Sequence, residues 1–322
     1  MGVEDTEATS KSRNLGETRS MSGRDLVVLG TASQVPTRTR NHNGYLLRWD
    51  REGLLFDPGE GTQRQFTHAG VSTGRITRIF LTHLHGDHCL GLPGVLQRIA
   101  LDGAGEEIPI HFPASGLPYV ERLCNASIGR RSPVRLEPID EAGAVVADGP
   151  LRVTALPLSH RVPVLGWRVE EPDGVHLVNE RLDAAGVHGP DAGRLLAQGS
   201  IEVGGRTVAL AEVSEVRPGR SAAVVMDTMA CDNAVRLAEG VDVLLCEATF
   251  LESESFLARD YGHLTAREAA IIAREAGARL LVLTHFSSRY PDLDGHLREA
   301  AAVFPDVVIA ADLAIIPFPA PL

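Results

Sequence analysis

Apolar residues recur along this chain in two patterns. Short continuous runs read as strands buried on both faces, and stretches with an apolar residue every third or fourth position read as helices. Asp25-Leu26-Val27-Val28-Leu29-Gly30, Gly44 to Trp49 and Leu54 to Asp57 are the first strands, the last two joined by the turn-forming Asp50-Arg51-Glu52-Gly53. A helix carrying Gln63, Phe66 and His68 follows, then a strand from Ile76 to Leu81, after which Leu90, Leu92, Val95, Leu96 and Ile99 return at helical spacing. Further strands are expected at Ile108 to Phe112, Val134 to Leu136, Val145-Val146, Leu151 to Leu158, Ala222 to Thr228, Val241 to Leu245, Leu280 to Leu283 and Val307 to Ala310. A helix is expected around Tyr119 to Asn125. Another follows Thr265, where Thr265-x-x-Glu268 forms a capping box ahead of Ala269, Ile272 and Ala273. Strands and helices in alternation predict an α/β architecture.

Two stretches depart from the pattern. Met1 to Gly23 is rich in Ser, Thr, Glu, Arg and Gly, with too few apolar residues to offset the entropy of ordering it, and reads as a disordered tail ahead of a domain spanning residues 24–322. From about Glu171 to Gly219 the chain turns to glycine, small residues and charges of both signs. A connection this long is usually functional or flexible. Its arginines, among them Arg181, Arg194 and Arg206, are offset by Asp183, Asp191, Glu202, Glu212 and Glu215, so composition alone reads as a solvated surface excursion.

An apolar fraction of 44% in 322 residues is ample for a core. The net charge of -11 argues against a general electrostatic grip on nucleic acid, since that needs many lysines and arginines against phosphate. No apolar run is long enough to span a membrane and no charged-then-apolar signal opens the chain, so a cytoplasmic address is expected. Cys89, Cys124, Cys231 and Cys246 lack metal-ligand or disulfide spacing and read as buried thiols.

The chemistry concentrates in Phe80-Leu81-Thr82-His83-Leu84-His85-Gly86-Asp87-His88, at a strand-to-helix turn of the kind where open α/β sheets hold ligands. Three imidazoles and a carboxylate so close together suit zinc and its first-row neighbours rather than calcium or magnesium. His83 and His85 can face one side while Asp87 and His88 follow at the helix entrance, so the set can address two neighbouring ions. Later strands end in further donors, Ser159-His160, Asp227 and Thr284-His285. Asp57, closing an earlier strand, reads equally as an orienting partner for a metal-bound imidazole and as an Asx turn. His68, His111, His176 and His188 carry no ligand spacing.

The H-x-H-x-D-H pattern resembles the signature of the metallo-β-lactamase superfamily, which implies a four-layer αβ/βα sandwich. On that scaffold His83, His85 and His160 are assigned to one ion and Asp87, His88 and His285 to the other, with Asp227 as the bridge.

Other segments narrow the resemblance, over residues 24 to 320, to the ribonuclease Z family, endonucleases that trim the 3′ trailer from precursor tRNA. They are Pro36-x-Arg38-x-Arg40-Asn41, Glu247-Ala248-Thr249, His263-Leu264-Thr265 and His285-Phe286-Ser287-Ser288-Arg289-Tyr290. The excursion at about 171–219, with Gly189-Pro190 and Gly193-Arg194-Leu195, is similar to that family's flexible substrate-gripping arm. The resemblance implies two zinc ions per subunit, with manganese or another first-row metal as substitutes, and a homodimer. It also implies that Asp87 binds metal and accepts a proton, and that His263, steered by Glu247, protonates the departing ribose oxygen. The tRNA would keep a 3′-hydroxyl and the trailer a 5′-phosphate. Arg38, Arg40, Asn41 and Arg289 are the substrate-contact candidates, with a surface salt bridge as the plainer reading of Arg289 and a structural cap as that of His263. The rivals are a binuclear hydrolase of small phosphodiesters, esters or lactones and a non-catalytic RNA-binding subunit on the same fold.

Overall fold

The computed structural model describes residues 23–321 apart from 104–106, 129–132, 141–142, 144 and 147–148. The expected disordered tail therefore lies outside the described residues, save for Gly23.

Two seven-stranded sheets face each other. The first runs, in spatial order, Ile315–Pro317, Arg24–Gly30, Gly44–Trp49, Glu52–Phe56, Arg78–Phe80, Ile108–Pro113 and Val134–Ile139. Its first three pairings are antiparallel and its last three parallel. The second runs Val307–Ile309, Leu281–Thr284, Val243–Glu247, Ser221–Val225, Leu165–Glu170, Arg152–Pro157 and Val145–Val146, parallel over its first three pairings and antiparallel thereafter.

Strand alternation sends one set of side chains to the interior and the other to the helices. In the first sheet, Leu26, Val28, Tyr45, Leu47, Leu54, Phe56 and Phe80 meet Ala155, Trp167, Val224, Met226, Leu245 and Val282 of the second. Their neighbours Val27, Leu29, Leu46, Leu55 and Ile79 point the other way, under Phe66, Val95, Leu96 and Ile99 of the helices Thr62–His68 and Leu92–Leu101. Ala223, Val225, Leu244 and Leu283 likewise pack outward against Ala234, Leu237, Ala269, Ala273 and Ala300 of three further helices. Helix, sheet, sheet and helix make the four layers, and burial on both faces explains why the strands read as continuous apolar runs. Two strands of the main sheets were not among those expected. Leu165–Glu170 is broken by Gly166, Arg168 and Glu170, and Ile315–Pro317 is only three residues long.

Residues between Glu170 and Ser221 form an outgrowth from one hairpin, since these two residues pair directly and Glu171 N–H donates to Arg220 O. Gly219 permits this closure, because a Cβ there would lie 2.0 Å from Glu171 O. The excursion is itself folded. Gly174–Leu177 and Ser214–Arg217 pair as a stalk. Beyond it three short helices, Asn179–Ala184, Pro190–Gln198 and Leu210–Val213, and the hairpin of Ser200–Val203 with Arg206–Ala209 close over a small core of Leu182, Val187, Leu195, Ile201, Val208 and Val213. Among the described residues no helix is long and apolar enough to cross a membrane.

Candidate metal centre and active site

The carboxyl ends of strands from both sheets converge on one cleft of roughly 570 Å³. From the first sheet, Arg78–Phe80 leads into His83 and His85, and the short helix Gly86–Cys89 brings Asp87 and His88 in its first turn. From the second sheet, Arg152–Pro157 leads to His160, Ser221–Val225 to Asp227, and Leu281–Thr284 to His285.

These seven residues fall into two sets. Donor atoms of His83, His85, His160 and Asp227 lie within 4.8 Å of one another, and so do those of Asp87, His88 and His285. Asp227 divides its oxygens between them. Oδ1 is 3.1 Å from His285 Nε2 and 3.3 Å from His88 Nε2, and Oδ2 is 3.4 Å from His83 Nε2 and 3.8 Å from His160 Nε2. Asp227 at φ 39° and His285 at φ 59° hold left-handed backbone that side chains other than glycine rarely adopt, so strain is spent on aiming them.

The donor set fits a pair of metal ions. His160 Nε2 and Asp227 Oδ1 are buried without a hydrogen-bond partner among the described residues, an arrangement that costs free energy unless something else binds there. Ring nitrogens also face each other closely, His83 Nε2 with His85 Nδ1 at 2.9 Å and His88 Nε2 with His285 Nε2 at 3.2 Å. Imidazole nitrogens with oxygen from aspartate are zinc and first-row donors.

A second layer aims the rings. Asp57, also at positive φ, accepts from Thr82 N–H and Thr82 Oγ1, each at 2.7 Å, and pairs with His88 Nδ1 at 2.8 Å. It therefore orients the His88 ring, which a simple Asx turn would not do. Thr249 Oγ1 donates to Glu247 Oε2 at 2.6 Å and meets His285 Nδ1 at 2.8 Å. His160 Nδ1 donates to Gly262 O at 2.8 Å, and Gly262 sits at φ 77° with no room for a Cβ beside that ring. The sequence marked Thr249 only as part of a family segment. Its link to His285 depends on two parallel strands lying side by side.

Charge follows the geometry. Burial would raise the Asp227 carboxyl, but His285, His88 and His83 around it hold it well below the usual carboxylate range. Burial of His83 and its neighbour His88 lower the His83 imidazole. Burial also works against the His88 imidazolium, yet Asp227, Asp87 and Asp57 raise it well above the ordinary value.

His263 stands at the edge of the cluster, its Nδ1 3.0 Å from Glu247 Oε1. Glu247 is fully buried and also accepts from Thr228 N–H at 2.8 Å. Burial disfavours the charged ring, but Glu247 and Asp227 outweigh it and raise His263 to about 9. The pairing with Glu247 turns the His263 ring toward the cleft that it lines.

The substrate-contact candidates divide. Arg40 Nη2 donates to Ser287 O and Tyr290 O at 3.2 and 2.9 Å, and Asn41 N–H donates to Asp312 Oδ2 while its amide donates to Glu60 O. Both hold loops together. Arg38 is exposed on the same loop, and Arg289 lines the cleft with its Nη1 on Glu254. His68 is exposed, His111 is buried in a stack on Phe80, and Cys89 is buried with Sγ on the His85 carbonyl; none joins the donor sets.

Comparison with known proteins places this geometry. The beta-lactamase superfamily domain matches residues 53–218 and 206–286. Ribonuclease Z of Nocardia farcinica is 57% identical over 302 residues, covering 93% of this chain and 99% of that protein. Ribonuclease Z of Streptomyces coelicolor is 54% identical over 307 residues, with 93% and 99% covered. Among solved structures, the short form of human tRNase Z superposes with a TM-score of 0.67 at 27% identity, covering 92% of this chain and 100% of that one. The metallo-beta-lactamase fold protein YhfI of Bacillus subtilis gives the same TM-score at 19% identity, with 91% and 98% covered, and so speaks for the fold alone. Sharing more than half its residues with these relatives along nearly the whole chain, the protein belongs to the ribonuclease Z family of the metallo-β-lactamase superfamily.

Proposed function

We propose that this protein is the endoribonuclease that removes the 3′ trailer from precursor tRNA. Family membership gives the substrate class, and the carrying structural observation is Asp227, whose two oxygens are shared between two imidazole sets beside a Glu247-held His263. His83, His85 and His160 would hold one ion and Asp87, His88 and His285 the other, with Asp227 between them. Zinc is the proposed metal, with manganese or another first-row ion as a substitute. When bound, such ions supply Lewis acidity toward phosphoryl oxygens and acidify a water into the nucleophile's range.

The chain's own groups supply the rest. Asp87 Oδ2 lies 3.5 Å from both His88 Nε2 and His285 Nε2 and accepts from Gln34 N–H at 2.7 Å, so it is an ionised acceptor at the cleft and the proposed receiver of the water's proton. Burial opposes that ionisation, but His88 and His285 keep the carboxyl well below its usual range. His263, with Nδ1 committed to Glu247, offers Nε2 to the departing ribose oxygen. The tRNA then keeps a 3′-hydroxyl and the trailer leaves with a 5′-phosphate.

Residues 171–219 are the proposed RNA-gripping arm. Arg181, Arg194 and Arg206 are each engaged by a carboxylate of the arm itself, Glu215, Asp191 and Glu212, while Arg217 is exposed, and acidic residues outnumber the arm's arginines. Its grip therefore rests on shape and backbone more than on net charge. By family resemblance we place the protein in the cytoplasm as a homodimer, the arm of one subunit serving the partner's site.

Cleavage of a precursor tRNA carrying a 3′ trailer, beside a small phosphodiester, tests the reading. With zinc or manganese added, wild type should cut at the trailer junction and Asp87→Ala should not. Hydrolysis of the small diester alone would retain the metal-site assignment and remove the tRNA one.

A further inference from the structure

Two arginines line the catalytic cleft, Arg161 and Arg289, and they are held differently. Arg289 donates through Nη1 to Glu254 Oε1 at 2.8 Å and through Nε to Ser287 Oγ at 3.2 Å. Its charge is answered within the protein. Arg161 is exposed, and no hydrogen bond or ion pair to a described residue engages it. Its guanidinium lies over the ring of Tyr261, 5.2 Å from the centroid.

Tyr261 is prepared for that contact. Its ring stacks on Phe250 with centroids 6.3 Å apart and planes 15° from parallel, and Arg289 sits 5.1 Å from the Phe250 centroid on its own account. Phe250 is buried and thus fixed, whereas Tyr261 is 49% exposed. An aromatic face restrains the plane of a guanidinium while leaving its edge N–H groups, the ones that match phosphate oxygens, free to bind.

The place is fixed as well. Arg161 follows the ligand His160, Tyr261 precedes Gly262 and His263, and the bond from His160 Nδ1 to Gly262 O draws the two segments together. An uncompensated guanidinium thus stands beside the metal ligands, not among them. In a protein of net charge -11, where Arg181, Arg194 and Arg206 of the arm are tied to carboxylates, this is a site shaped for an anion next to the reacting one.

We propose that Arg161 binds the RNA phosphate adjacent to the scissile linkage, and that Tyr261 is the positioning residue holding its guanidinium edge toward that phosphate. This rests on the reading of the cleft as an RNA phosphodiesterase site.

The test combines variants with precursor tRNAs carrying a single neutral methylphosphonate beside the scissile linkage, on one side or the other. Arg161→Ala should raise KM for the unmodified precursor by about 10- to 100-fold, the range of a lost charge-assisted pair, with a smaller change in kcat. Arg161→Lys, which keeps the charge and loses the fork and the stacking, should recover part of that loss. Tyr261→Phe, keeping the ring, should behave nearly as wild type, and Tyr261→Leu should raise KM several-fold. At one of the two neighbouring linkages, neutralisation should raise the wild-type KM by the same factor as Arg161→Ala and add nothing to that variant. Losses that multiply at both linkages would overturn the proposal, as would loss of bound metal from Arg161→Ala. Wild-type protein that leaves every precursor uncut while hydrolysing a small diester would instead remove the reading on which the proposal rests.

Discussion

Asp57 Oδ2 lies 2.8 Å from Nδ1 of His88, and the same carboxylate is pinned by both the amide and the hydroxyl of Thr82. The carboxylate sets which nitrogen of His88 carries the proton and which is left to face the proposed metal. Asp57→Ala should therefore weaken metal binding by about 10- to 100-fold. Chelator competition on the purified protein measures this, and unchanged affinity would reduce Asp57 to a turn residue.

His263→Ala should lower kcat on precursor tRNA by about 10²- to 10⁴-fold, the usual contribution of a positioned acid. Metal content should stay as in wild type. A diester with a nitrophenolate leaving group needs no protonation, so its hydrolysis should suffer far less. Equal losses on both substrates would show His263 to be a structural residue.

Deletion of the arm should leave a folded protein. Glu170 and Ser221 already pair, and the outgrowth has its own small core, so a short turn between Glu171 and Arg220 closes the sheet without exposing the main one. Binding contributed at a distance from the reaction is what such a deletion removes. We expect kcat/KM on precursor tRNA to fall about tenfold or more, with the small diester still hydrolysed. Circular dichroism checks folding, and an unfolded product would contradict the architecture drawn above.

The clustering of the strand-end His and Asp residues was legible because each follows an apolar run, and a polar donor at the end of a buried strand has few other uses. Asp57 was legible only as one of two equal readings, since Asp-Pro-Gly forms a turn whether or not a histidine lies across the sheet. Leu165–Glu170 was hidden by its polar positions, although it pairs on both sides. The core of the arm was hidden too, because Leu182, Val187, Leu195 and Val213 are spaced too widely for either periodicity. Arg161 depends on Tyr261, and nothing local in sequence joins a guanidinium to a ring on a distant helix.

His296 gives a pH signature away from the metal ligands. Burial, then the charge of Arg40, outweigh Asp292 and Glu254 and lower its imidazole to about 4, in a niche between the rings of Phe286 and Tyr290. The unfolded chain takes up this proton near pH 6.5 and the folded one does not. Stability from this group is thus complete above about pH 6.5 and declines as pH falls toward 4, by about 3 kcal/mol in all. Denaturant melts at pH 7.5 and 5 should show wild type losing more stability than His296→Gln. Equal losses would remove the assignment.

Asp242 accepts from Arg220 Nε at 2.8 Å and Arg279 Nη1 at 2.5 Å, and those arginines also donate to Pro319 O and Ala320 O at the end of the chain. Asp242→Ala leaves the buried Arg220 uncompensated and should cost about 3–5 kcal/mol. A thermal melt shows the loss, and an unchanged midpoint would mean that solvent answers both charges.

Four of the seven proposed metal donors arise from the first sheet and three from the second, and Asp227 reaches across to both sets. Neither half of the chain owns a complete coordination sphere. On the proposed ligand set, metal uptake would be a late event in the life of the polypeptide, open only after residues on either side of the sandwich have found each other. On that set, a nascent or broken chain would lack the ions' intended arrangement, and hydrolytic power would wait on assembly.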